Sequence, residues 1–353
     1  MLKLIIVPLL MCQVFAVAAK NGIHTGKTIW KTVLLFIVLF AITFVLCAVI
    51  LQWIQPGYGY TLPADEWTGS VADTGANSIL SNLFCWNIFE AMAAGKILPC
   101  ILFSLICGIA ASVLHFEKAA EAADKASAVF TKILDWIMYL TPVGVFALLA
   151  NAAAANGIGL IGISLKYILF AWGLSIVVLL LVMYLPLLIF RKITPLRYIR
   201  AMFRVWSVSL STCSSAATLP TTIQVCREEF KIPDRITSIV VPLGCTIHMC
   251  GGAVSFCLLA MFTMQASGIG MSISMFFAML LLAELLNMAA PGIPGGGIAL
   301  GAAYLSGLGL PLGFLGIYSG IYRFLDMTYT TLNVTGDVTA NILLSNEQEQ
   351  KDA

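Results

Sequence analysis

The chain has 353 residues, 60% of them hydrophobic and only 10% charged, with 19 Lys and Arg against 17 Asp and Glu. Mean hydropathy is +0.97, whereas a soluble domain carries about 25% charged residues. This excludes an ordinary soluble enzyme, and a net charge of +2 supplies no basic surface for nucleic acid. The ten cysteines lie almost entirely within apolar segments and read as small packing residues rather than a disulfide framework.

In chain order, the first apolar run is Leu2–Ala19. It looks like a leader peptide, but Pro8 and Gln13 interrupt it and it leads into a basic loop, so it is read as a retained membrane helix. Thr32–Trp53 exceeds the roughly 20 residues needed to span hydrocarbon. Helices are next expected at Met92–Leu114 and Phe130–Ala153, with the Ala-rich, charged His115–Phe130 as a helix in water or at the interface. Gly159–Phe190, Ser238–Gln265 and Leu315–Leu344 complete the set. Lys20, Lys27 and Lys31 form one basic connection and Arg191, Lys192, Arg197, Arg200 and Arg204 another, whereas Gly57–Gly75 carries only acids. The positive-inside rule puts the basic connections in the cytoplasm and the acidic one outside. The sequence therefore describes an all-α, polytopic protein embedded in the lipid of the cell's inner (plasma) membrane.

Two stretches break the pattern. Ser207–Val225 is rich in hydroxyls and is expected to be cut by Pro220, and Leu281–Pro311 is apolar at both ends and broken at Pro291–Gly297. Neither break carries a charge, so neither reads as an extramembrane turn. Irregular backbone is tolerated at membrane depth where it is buried in protein or lines a cavity, and paired interruptions point to a transporter binding site.

Near the C-terminus, Asp326, Thr330, Asn333 and Asp337 are spaced by four, three and four residues and share one helical stripe, flanked by Tyr329. Ionised carboxylates at this depth face a bundle interior and mark an ion or substrate path. With no Lys or Arg on a neighbouring apolar segment except Arg323, the expected partners are mobile cations, Na⁺ or a protonated amine. A structural polar network is the bland alternative. Asn333–Thr335 matches a glycosylation sequon that its depth rules out. Cys245, His248 and Cys250 could form a soft-metal triad, but on a continuous helix Cys250 lies about 200° from His248, which argues against metal.

"SSAATLP", "VPLGCTIHMCGG", "PGIPGGG" and "LDMTYTTLNVTGD", in this order, resemble the dicarboxylate/amino acid:cation symporter family, the glutamate transporter homologues, from Met1 to about Ser345. The resemblance implies that family's fold, with inverted repeats, two re-entrant helical hairpins and a homotrimer. Each protomer would pair a static scaffold with a transport domain that moves as an elevator. Residues 1–20 and 76–155 would be scaffold helices, and 28–54 and 159–191 transport-domain helices. Residues 198–226 would form the first hairpin, 236–265 an unwound helix and 273–310 the second hairpin or outer gate. The substrate- and cation-binding helix would span 311–345, before a cytoplasmic tail at 346–353. Met1 falls within what resembles the family's second helix, so the first scaffold helix is expected to be missing.

Carried over by motif, Asp326 would pair with a substrate amino group, and Thr330 and Asn333 would contact the amino acid backbone. Ser214 and Ser215 would receive the α-carboxylate, and Ile293 and Gly295 would form the gate tip. One sodium site would use Asn333, Asp337 and the Gly244 carbonyl, and a second Thr246, Met249, Asn287 and Ala290. Tyr329 stands where acidic-amino-acid transporters carry arginine, which favours a neutral amino acid substrate. An acidic amino acid or C4-dicarboxylate carrier driven by Na⁺ or H⁺ is the alternative. Leu39, Phe40, His248 and Cys250 replace the oxygen donors of a third sodium site, so fewer sodium ions are expected per cycle, with His248 as a candidate proton site. No cofactor and no covalent chemistry are expected.

Overall fold

The structure is a computed structural model that describes residues 2–21, 27–60, 87–93, 97–138, 159–288 and 295–349. Every regular element among these residues is a helix. In chain order they are α1 (Leu2–Asn21), α2 (Lys27–Ile54), α3 (Ile88–Ala93), α4 (Ile97–Val113), α5 (Glu117–Met138) and α6 (Gly159–Val178). There follow α7 (Leu185–Arg191), α8 (Pro195–Thr212), α9 (Ser215–Glu228), α10 (Asp234–Ile247), α11 (Cys250–Ala266), α12 (Ile273–Met288), α13 (Gly296–Gly307) and α14 (Leu315–Glu349). Trp30–Ile54, Ile161–Arg191 and Ile236–Ala266 are long and apolar enough to cross a membrane, which makes this an integral membrane protein.

Several expected boundaries move. The Ala-rich segment and the apolar run after it form one helix, α5, which passes through Phe130 without a break; residues 139–153 of the expected helix lie outside the described residues. The change of composition from charged to apolar at Phe130 falls inside this helix, Glu117–Met138. The expected Met92–Leu114 helix is two described pieces, α3 and α4. Helix α14 runs through Glu349, so the first four residues of the expected tail are helical.

The expected helix over Gly159–Phe190 contains a six-residue π-helical stretch, Leu179–Tyr184, between α6 and α7. The cause is local. Pro186 has no N–H and its ring crowds the preceding turn, so the ladder slips and the Leu185 N–H donates to the Leu180 carbonyl five residues back.

The helices sort into two packing groups. Helix α1 lies against α4 and α5, with Val7, Ala91 and Cys100 buried between α1, α3 and α4. Gly108 sits on this contact, where a methyl group would meet the Ala18 side chain and the Phe15 carbonyl; small residues let membrane helices approach this closely. The remaining helices surround α14. Packed by α6, α8, α9, α10, α11 and α13, it is buried on every side from Thr328 to Ile342. This helix is therefore the axis of the core, and its polar residues between Thr328 and Asn341 are shielded from lipid.

Two contacts orient the bundle. The Arg191 guanidinium donates to the Leu343 carbonyl, which brings the basic connection and the C-terminal end of α14 to one side. At the other side the Gln265 side chain accepts from Gly57 N–H (3.0 Å) and donates to the Leu51 carbonyl (3.0 Å), where the acidic connection begins. With the basic side in the cytoplasm, the α8–α9 hairpin enters from within.

Candidate functional site

Three chain reversals or breaks converge on α14. In the first hairpin, α8 ends at Thr212, and Cys213 adopts a left-handed conformation (φ 52°). Ser214 then caps α9, its hydroxyl accepting from Ala217 N–H at 3.2 Å. The break is thus at Cys213–Ser214 and not at Pro220, which lies inside α9. A proline in a helix removes one N–H, whereas a capping serine beside a left-handed residue reverses the chain.

The second break separates α10 from α11. His248 and Met249 are extended (φ −113°, ψ 102° and φ −128°, ψ 75°), which exposes backbone groups that a continuous helix would pair. Side chains take their place. The Asn287 amide, from the end of α12, donates to the Met249 carbonyl (2.9 Å) and accepts its N–H (3.2 Å). Asn333 Oδ1 accepts the Gly251 N–H at 2.8 Å. Gly251 permits the contact, because a side chain there would overlap the Tyr329 backbone.

The third is the gate between α12 and α13. Ala290 and Ile293 lie outside the described residues. Gly295 is described, with φ at +80°, and its N–H donates to Asp326 Oδ2 at 3.0 Å. Thr330 donates to Asp326 Oδ1 at 3.3 Å, and the Tyr322 hydroxyl approaches the same carboxylate.

These parts enclose a cavity of about 50 Å³. Of the expected substrate residues, Ser215, Asp326, Tyr329, Thr330 and Asn333 line it, as do Met249 and Asn287 of the expected sodium ligands. Ser214 is one residue from it. Asp326 is the single carboxylate among the described lining residues, and none of them is Lys or Arg. The Tyr329 hydroxyl is buried beside Ser255 and makes no hydrogen bond of ordinary length. Tyr322, Ser255 and Phe256 also line the cavity; Tyr322 lies four residues before Asp326 and extends the stripe on α14, whereas Ser255 and Phe256 come from α11, where no spacing in the sequence marks them. Arg323, the cation nearest in sequence, is exposed and donates to the Ser211 carbonyl at 3.1 Å.

Asp337 stands apart from this cavity, and its surroundings correct two expectations. His248 Nδ1 lies 3.0 Å from Asp337 Oδ1. Cys250 Sγ lies 2.9 Å from His248 Nε2, so the two residues meet. The 200° separation assumed a continuous helix, and the extended His248–Met249 segment removes it. Asp337 is thus held by a protein side chain and not by a mobile cation alone. Leu39 and Phe40 are buried hydrocarbon beside this region.

The two sodium sites implied by the resemblance fare differently. At the first, the Gly244 carbonyl accepts the His248 N–H (2.9 Å), Asn333 is bonded to Gly251 and Asp337 to His248. These residues do not fit a metal ion. At the second, the last carbonyls of α10, Thr246 included, face a helix break beside Met249 and Asn287. Here too groups are engaged: Thr246 Oγ1 donates to the Leu243 carbonyl at 2.7 Å and the Met249 carbonyl accepts the Gly252 N–H at 2.8 Å, which leaves the helix-end carbonyls of α10 as the donors that a cation could use.

The opposite face of α14 is a structural network. Trp206 Nε1–H donates to Thr335 Oγ1 (2.9 Å), and the Ser209 and Thr331 hydroxyls share a bond of 2.9 Å. Asn341, one turn beyond Asp337 on the stripe's own face, donates from Nδ2 to the Thr237 hydroxyl at 3.1 Å. These groups tie α8 and α10 to α14.

A model of the sodium:dicarboxylate symporter family matches residues 1–347. The chain belongs to this family. It is 29% identical to a proton/sodium-glutamate symport protein of Bacillus caldotenax, over 99% of this chain and 86% of that one. It is 26% identical to a C4-dicarboxylate transport protein of Pseudomonas fluorescens, over 98% of this chain and 80% of that one. Neutral amino acid transporter A of Homo sapiens is 29% identical over 69% of this chain and 46% of its own length. As a sodium:dicarboxylate symporter family member the protein is a cation-coupled membrane transporter for small molecules and not an enzyme.

Proposed function

We propose that this protein is a secondary active symporter that carries a neutral amino acid into the cell with Na⁺ by an elevator movement. The observation that carries the substrate class is the cavity's charge: one carboxylate, Asp326, and no Lys or Arg among the described lining residues. A zwitterion suits this. Its ammonium pairs with Asp326, and its carboxylate meets the N-terminus of α9 beside Ser214 and Ser215, where the helix dipole favours an anion. A second carboxylate on the substrate would be buried without a partner, which costs several kcal/mol.

Asn287 and Asn333 link the ion region to the substrate region. Asn333 lines the cavity and holds Gly251, and Asn287 joins the gate helix α12 to the Met249 backbone. A sodium ion at Thr246, Met249, Asn287 and Ala290 would neutralise the carbonyl ends at the break and steady the gate. Amino acid and ion would then each find the site ordered by the other, which is the thermodynamic content of coupling. The two packing groups support the division into a scaffold of α1 and α3–α5 and a moving unit built on α14, and assembly as a homotrimer follows the family resemblance.

The names of the relatives favour a second reading, an acidic amino acid or C4-dicarboxylate carrier driven by Na⁺ or H⁺. Thermal-shift measurement of the purified chain with the common amino acids and with succinate, each with Na⁺ or choline, separates the two. Stabilisation by serine or alanine in Na⁺ supports the proposal; stabilisation by succinate or aspartate alone overturns it.

A further inference from the structure

Resting on the family reading above, we infer that Asp337 holds no sodium ion in this protein, because the His248 side chain permanently occupies the ion's place. The observations are geometric. The imidazole is 1% exposed and its two nitrogens are both engaged, Nδ1 with Asp337 Oδ1 at 3.0 Å and Nε2 with Cys250 Sγ at 2.9 Å. The neutral Nδ1–H tautomer satisfies the whole chain: the Cys250 thiol donates to Nε2, and Nδ1–H donates to the carboxylate. The ring is also clamped sterically. Phe36 stacks on one face, centroid to centroid 4.3 Å at an interplanar angle of 12°. On another side lies Gly336, where any side chain would overlap the ring at Cε1.

The other oxygen donors that an ion at Asp337 would need already carry one hydrogen bond each. The Gly244 carbonyl accepts the His248 N–H, and the Asn333 carbonyl oxygen accepts the Gly251 N–H. A side chain at Gly244 would run into the Asp337 carboxylate, so the carboxylate lies close against α10. An ion here would have to expel the ring, break both of its hydrogen bonds and leave a buried thiol and imidazole unpaired, at a cost of the order expected for several unsatisfied buried groups. His248, with Cys250 as its positioning residue, is thus a determinant of ion stoichiometry. Sodium binding is confined to the region of Thr246, Met249 and Asn287.

The test uses the full chain in detergent and Na⁺ alone, with choline holding ionic strength. The dependence of unfolding free energy on log[Na⁺] above saturation counts the ions that the folded state holds. The expected slope for the unaltered protein is one ion, and His248→Asn, which frees the space beside Asp337, is expected to raise it towards two. A slope of two in the unaltered protein overturns the inference, and this arm stands even where His248→Asn fails to fold. A folded His248→Asn protein with an unchanged slope overturns it as well. A slope of zero that rises to one in His248→Asn sinks the proposed sodium coupling at the Met249 site while supporting the assignment of His248.

Discussion

The Gly295 N–H donates to Asp326 Oδ2 at 3.0 Å, so the first described residue of the gate hairpin rests on the only carboxylate among the cavity's described lining residues. An ionised carboxylate has about four acceptor positions. Gly295 and Thr330 occupy two of them and the Tyr322 hydroxyl approaches the same group; on the proposed function what remains receives a substrate ammonium. On that reading, the gate hairpin and the substrate amine would therefore share one side chain.

Asp326→Asn is expected to weaken amino acid binding by at least about 100-fold, the effect of removing one partner of a buried charge pair, while the fold persists. Titration of the purified variant with alanine and serine measures it; an unchanged dissociation constant refutes Asp326 as the amine partner.

Tyr329 tests the specificity argument. Its unpartnered hydroxyl can be removed without breaking a bond, so Tyr329→Phe is expected to melt no lower than the unaltered protein. It should weaken serine by about 1 kcal/mol, one hydrogen bond, and leave alanine unaffected. Tyr329→Arg places a cation in the cavity and is expected to shift competition towards aspartate by about 1.5–3 kcal/mol, the value of a charge-assisted bond. Uptake competition in vesicles reads both.

Much of this was legible in the sequence, and what was not has definite physical causes. The stripe of Asp326, Thr330, Asn333 and Asp337 could be read because helical periodicity survives wherever the helix is continuous. The resemblance implies an unwound helix over 236–265, but the break at His248–Met249 has no proline or glycine at its own position, and an angle reckoned on a continuous helix puts Cys250 on the wrong side. In the first hairpin Pro220 drew attention, while the real reversal uses a non-glycine residue, Cys213, in a left-handed conformation. Such a residue costs about 1–2 kcal/mol and leaves no compositional trace; the serine caps beside it were the usable signal. Asp337 was expected to await a cation. Its tie to a histidine 89 residues earlier depends on tertiary packing that no local pattern encodes.

Glu284 on α12 is half-buried, and its Oε2 is buried with no hydrogen-bond partner. Burying a polar atom unpaired costs about 1–3 kcal/mol. Glu284→Met, similar in length and apolar, is expected to raise the unfolding free energy by that amount. Thermal denaturation in detergent measures it, and a lower melting temperature would reveal that the carboxyl has a stabilising partner.

The two polar faces of α14 should separate by measurement. Thr335 Oγ1 accepts the Trp206 indole N–H and donates to the Thr331 carbonyl, and it does not line the cavity. Thr335→Val keeps the shape and removes both bonds, leaving a half-buried indole N–H without its acceptor. The expected cost is about 1–3 kcal/mol of stability, with amino acid affinity and the sodium slope unchanged. Asn333→Ala should do the reverse in part, since it frees the Gly251 N–H at the lip of the cavity. Amino acid binding is then expected to fall by more than the 5- to 10-fold that one neutral hydrogen bond explains, because α11 loses its anchor to α14. Equal losses of affinity in both variants would mean that the helix acts as one rigid polar network and not as a site backed by a brace.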